Sequence, residues 1–213
     1  QGATLVDINE FQPAVPDFRD DETTLLEYEF KDSLNAYLAT TPEAVTTKTL
    51  SDLIEFNKQH ASDEMPLFGQ DIFLSAEARG PLSDQAYIDA RAAVRFVTRE
   101  QGINRLLTAN QVDVLVSPSG PVAPRIDPIN GDVWPNWAGA GWLAAMAGYP
   151  HLSVPMGDVH GVPVGVSFIG AAGQDAAVLA YGYAYEQASQ MRVDPRYLPN
   201  AEARPEIAAA MVK

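Results

Sequence analysis

The chain has 213 residues, enough for one domain or at most two small ones. Its 28 acidic residues outnumber 14 Lys and Arg for a net charge of −14, which argues against nucleic acid and anionic membrane, since both recruit clustered Lys and Arg. There is no Cys, which excludes disulfides, thiol catalysis and cysteine metal sites, and no apolar run reaches the roughly 18 residues of a membrane span.

In chain order, Gly2-Ala3-Thr4-Leu5-Val6-Asp7-Ile8 reads as a strand headed by glycine, the residue favoured just past a helix C-terminus. With Gln1 first and no Met, this predicts a helix–loop–strand unit cut at its loop. Pro13 and Pro16 mark a loop. Asp20 and Asp21 are N-cap candidates for a helix running to about Ala39, with Leu26, Phe30, Leu34, Tyr37 and Leu38 on one face. Pro42 closes it, and Thr49-Leu50-Ser51-Asp52 opens a short helix through Asn57. After an irregular stretch with Pro66, Gly69, Gly80 and Pro81, Ser83 caps a long helix from Asp84 to about Thr98. Gly102 interrupts it before the pattern resumes at Ile103, Leu106 and Leu107.

Val112 to Val116 is β-branched and reads as a strand, ended by Pro118, Gly120, Pro121 and Pro124. A loop over 125–136 leads to a Gly-, Ala- and Trp-rich helix from Trp137 to Ala147. Leu152 to Pro155 and Val164 to Ile169, joined by a turn over Gly157 to Gly161, form a predicted hairpin. Gln174 to Met191 is an amphipathic helix, and residues 194–213 form a Pro- and Ala-rich tail that docks loosely. So few strands suit the edge of a larger sheet.

The residue patterns complete no active site. No Gly-x-Ser-x-Gly elbow is present, and Ser117-Pro118-Ser119-Gly120 carries prolines where the elbow needs glycine and helix. The histidines are His60, His151 and His160, and the spacing of His151 and His160 does not enforce proximity, so both read as surface or turn residues and no metal site is expected. Gly170-Ala171-Ala172-Gly173 precedes a helix without a Lys and reads as a tight turn. No motif calls for a cofactor.

The stretch Val112-Asp113-Val114-Leu115-Val116-Ser117-Pro118 through Ala123-Pro124 carries a resemblance. So do Ala147-Gly148-Tyr149-Pro150-His151-Leu152-Ser153-Val154-Pro155-Met156-Gly157 and Gly161-Val162-Pro163-Val164-Gly165 through Gly170. Asp175, Glu186, Tyr87, Ala90 and Arg95 add to it. In this order the motifs resemble the C-terminal part of the amidase signature family. Upstream, Tyr28-Glu29-Phe30-Lys31, Leu34-Asn35-Ala36-Tyr37-Leu38, Leu53-Ile54-Glu55-Phe56-Asn57 and Phe68-Gly69-Gln70-Asp71 are similar to bacterial peptide amidases.

The resemblance implies an α/β chain that forms one segment over 1–213: the edge of a mixed sheet, packed by helices, and a wall of a substrate pocket. Family members cleave carboxamides to acid and ammonia with a Ser nucleophile, a bridging second Ser and a Lys base. The Gly/Ser-rich stretch that supplies the serines is absent, so no residue here inherits a catalytic role. Implied pocket residues are Trp137, Gly141 and Trp142 on the helix before the Gly-x-Pro strand, with Phe68 and Gln70 as further candidates. The expected partners are a small-molecule or peptide amide, the missing N-terminal part of the enzyme, and a second copy through the exposed cut edge. The expected compartment is aqueous, cytoplasmic or periplasmic. A free-standing binding or assembly module is the alternative, and an unrelated hydrolase using Ser117 or Ser119 with a histidine is a distant third.

Overall fold

The first helix, α1 (Phe18–Ala39), ends where Thr40 and Thr41 turn their hydroxyls back onto the Tyr37 and Leu38 carbonyls, both at 2.7 Å, just before Pro42. It begins at Phe18, so Asp20 and Asp21 lie in its first turn rather than at the cap, where their charge favours the helix dipole. This is a computed structural model describing residues 2–8, 18–124, 131, 138–195, 197 and 205. Trp137 and most of the expected tail over 194–213 lie outside the described residues.

The buried face of α1 differs from the apolar stripe expected. Phe18, Leu25, Tyr28 and Leu38 are buried together with Glu22 and Glu27, while Leu26 and Tyr37 face solvent. The reason is pairing across helices. Glu27 accepts from Arg79 Nε at 2.8 Å and from the Ser75 hydroxyl, and Lys31 Nζ donates to the Glu77 and Arg79 carbonyls at 2.5 and 2.8 Å. A carboxylate so satisfied can be buried, which hydropathy periodicity does not anticipate.

Helix α2 (Leu50–Gln59) opens on a capping box between Thr49 and Asp52. It is followed by α3 (Ala61–Glu64), α4 (Asp71–Glu77) and α5 (Gln85–Arg95). Helix α5 lies along α1, where Tyr28 and Tyr87 pack with ring centroids 5.7 Å apart and their hydroxyls donate to Asp84 and Glu29. It runs into a π-helical segment (Phe96–Ile103) and then α6 (Asn104–Asn110). Gly102 sits at the kink with φ −94° and ψ −113°, and a Cβ there would lie 2.7 Å from the Val97 carbonyl.

The strands are β1 (Leu115–Pro118), β2 (His151–Val159) and β3 (Val162–Ile169), in the order β1-β3-β2. Both pairings are antiparallel, and β2 and β3 form the expected hairpin, so the described strands make the small antiparallel sheet expected of a sheet edge. Strand β1 starts later than expected because Val112 N–H still bonds the Leu107 carbonyl, closing α6. Residues 2–8 form no strand. No backbone hydrogen bond joins them to another described segment, and Leu5 is 86% exposed, although Ile8 packs against the core.

Helix α7 (Gly141–Ala147) covers one face of the sheet and α8 (Asp175–Ser189) the other. Leu115 and Ile169 pack with Leu143, Ala144 and Ala147 of α7, and Val154, Val166 and Phe168 pack with Val178 of α8. Among the described residues, no helix is long and apolar enough to cross a membrane.

Candidate functional site

Side chains alternate across a sheet, so its register decides which residues meet. Ser117 and Ser153 both stand opposite Ser167. Two residues along each strand, the same face receives Ser119 beyond β1, Gly165 on β3 and His151 on β2. The α7 face thus carries apolar Leu115 and Ile169 with His151 opposite Ile169 at one end, and the serines follow along the strands from there.

The polar row is hydrogen-bonded from end to end. His151 Nε2 lies 2.7 Å from Ser167 Oγ, Ser167 Oγ donates to Ser119 Oγ at 2.9 Å, and Ser119 Oγ lies 2.5 Å from Ser153 Oγ. Ser167 is fully buried, whereas Ser153 and His151 reach solvent. Burial pushes the His151 pKa below its ordinary value and favours the neutral ring. Beside the row, Ser117 Oγ accepts from Ala140 N–H at 3.1 Å and anchors the chain leading into α7.

Two glycines make room. Ser119 and Ser153 sit on opposite sides of β3 and meet over Gly165, where a Cβ would lie 2.8 Å from both hydroxyl oxygens. At Gly141 a Cβ would lie 2.9 Å from His151 Cε1. Any larger side chain at either position would displace the row.

Of the described residues expected to line a pocket, Gly141 alone borders this row. Trp142 stands farther along α7 between two apolar clusters, 5.6 Å from the Phe18 ring and 5.4 Å from the Arg19 guanidinium. Phe68 is 79% exposed in the turn before α4. Gln70 Nε2 donates to the Ile54 carbonyl at 3.0 Å and its Oε1 accepts from Asn57 at 3.1 Å, so its amide serves its own loop. Sequence reasoning missed Ser153, Ser167 and His151 as a set. The available signal was the i, i+2 spacing of His151 with Ser153 and of Gly165 with Ser167, read in hairpin register.

The described residues contain no cluster of three or more metal-binding side chains. The row itself offers hydroxyls and an imidazole, which form and relay hydrogen bonds.

The sequence profile of the Amidase family matches residues 3–179. The chain belongs to the amidase family. It is 30% identical over 172 residues to a probable amidase of Arabidopsis thaliana, covering 80% of this chain and 30% of the relative. Its fold matches native peptide amidase from Stenotrophomonas maltophilia with a TM-score of 0.76 at 39% identity, over 88% of this chain and 37% of that one. A peptide amidase in complex with the competitive inhibitor chymostatin matches with a TM-score of 0.76 at 40% identity, over 84% of this chain and 36% of that one. The chain therefore spans about a third of the length of these amidases.

Proposed function

We propose that this chain serves as the C-terminal portion of an amide hydrolase that converts carboxamides, peptide C-terminal amides among them, to acid and ammonia. In this reading it supplies a sheet edge and a pocket wall, and the Ser-Ser-Lys chemistry comes from the remainder of the enzyme. The observation that carries the reading is the fold and 39% identity shared with a peptide amidase across 88% of the chain. The polar row supports it, since a wall of neutral donors suits a neutral amide.

Gly141 belongs to the proposed wall because it borders the row, and Trp142 backs it from the core side. Trp137, Phe68 and Gln70 remain candidates for the same wall. The outer edge of β1, beyond which no strand lies among the described residues, is the proposed seat of the rest of the sheet or, without it, of a second copy.

The test is the intact mass of the polypeptide in its source, captured through this chain, followed by an assay of ammonia release from a peptide amide. A polypeptide well above 23.0 kDa that releases ammonia is expected. A 23.0 kDa polypeptide that releases none would overturn the reading in favour of a binding or assembly module.

A further inference from the structure

Each serine hydroxyl in the polar row has one proton to give. Ser167 gives its proton to Ser119, so at its other contact it accepts, and His151 Nε2–H is the donor. Ser119 and Ser153 share a 2.5 Å contact in which either hydroxyl can donate. That contact uses one of the pair's two protons, so the other is left unspent within the row. The protons of His151 and Ser167 therefore point toward the Ser119–Ser153 pair, and donors aligned in this way polarise one another. The chain passes through fully buried Ser167 and ends on the exposed Ser153.

This direction decides what the row can do. A serine nucleophile needs a base that withdraws its proton, and here the imidazole donates, so Ser119 is not activated for attack. A terminus with one neutral, polarised donor suits a neutral acceptor. A protein with a net charge of −14 gives an anion little reason to come to a site built from hydroxyls. Gly165, with no side chain, leaves the space in which the two terminal hydroxyls meet.

We propose that the Ser153 hydroxyl, backed by Ser119, Ser167 and His151, is a donor site for a backbone carbonyl oxygen of an extended peptide amide. Ser153 is then a positioning residue that takes no part in breaking the bond. The ligand class rests on the amide-hydrolase reading, while the donor chain rests on its own geometry.

The experiment is an NMR titration of the intact polypeptide, captured from its source through this chain, with a blocked dipeptide amide, N-acetyl-Ala-Phe-NH2, following the His151 ring nitrogens and, in the same samples, ammonia release. The His151 Nε2 signal is expected to move on saturation. Ser153→Ala should weaken binding about tenfold, the loss of one good hydrogen bond. Ser153→Thr, which keeps the hydroxyl on a strand-favouring side chain, should restore it to within about twofold. Unchanged affinity in Ser153→Ala, saturation without movement of the His151 signal, or no binding by the wild-type protein would each overturn the donor site. Binding with the His151 response but without ammonia would sink the hydrolase reading and keep the site. Ammonia release with a KM indifferent to Ser153→Ala would keep the hydrolase and sink the site.

Discussion

The two faces of the β1-β3-β2 sheet are built from alternate residues of the same strands, yet they are held by different forces. Toward α8 stand Val154, Val166 and Phe168, all buried, with Phe168 and Tyr185 rings 5.8 Å apart. Toward α7 stand Ser119, Ser153, Ser167 and His151, joined by hydrogen bonds. The apolar face gains from area removed from water and tolerates small shifts. The polar face gains little net energy per bond but fixes positions, and it is costly to break because a buried hydroxyl left alone loses its partner. One face therefore secures the fold, and the other carries the proposed donor site.

Neighbouring substitutions on β3 separate these roles. Phe168→Ala should cost about 4 kcal/mol in urea unfolding, by loss of buried area and the cavity left under α8. Gly165→Val should cost about 2 kcal/mol, since the new side chain must displace Ser119 and Ser153, and it should also abolish binding of a peptide amide. Ser167→Ala, one residue from Phe168 but on the other face, should cost only about 1–2 kcal/mol while disconnecting His151 from Ser119. If Ser167→Ala proved as damaging to stability as Phe168→Ala, the division of labour between the faces would be wrong.

Much of the fold was legible in the sequence because it rests on local signals. Pro42 ended α1, Thr49 and Asp52 capped α2, Gly102 broke the long helix, and the turn around Gly161 joined β2 to β3. What stayed hidden depends on distant partners. Glu27 is buried because Arg79 and Ser75 meet it, 52 and 48 residues away. The serine row exists because β3 lies between β1 and β2, an order that no local pattern specifies. Residues 2–8 have strand composition but no described strand beside them. Sequence similarity supplied the family where composition and spacing could not.

Acid should distinguish the polar row from the helical half in two separate pH windows. His151 is held below its ordinary value by burial, so the unfolded chain binds a proton more readily than the folded one. Its contribution is complete above the unfolded histidine value near 6.5 and is lost as pH falls through the lower folded value. Burial alone would raise the Glu27 carboxyl, but the hydrogen bonds from Ser75 and Arg79 and the Arg79 charge outweigh it and hold it below its ordinary value. Its contribution is complete above the unfolded glutamate value near 4.3 and disappears only in stronger acid. Thermal unfolding against pH should therefore show a shallow loss beginning just below about 6.5 and a second beginning near 4.3. His151→Gln should remove the first and leave the second, while Glu27→Gln should do the reverse. Because His151 is partly solvated, the first loss is the smallest effect expected here. A Tm that stayed flat between about pH 6.5 and 5 in both the wild type and His151→Gln would mean that the ring charges without disturbing Ser167.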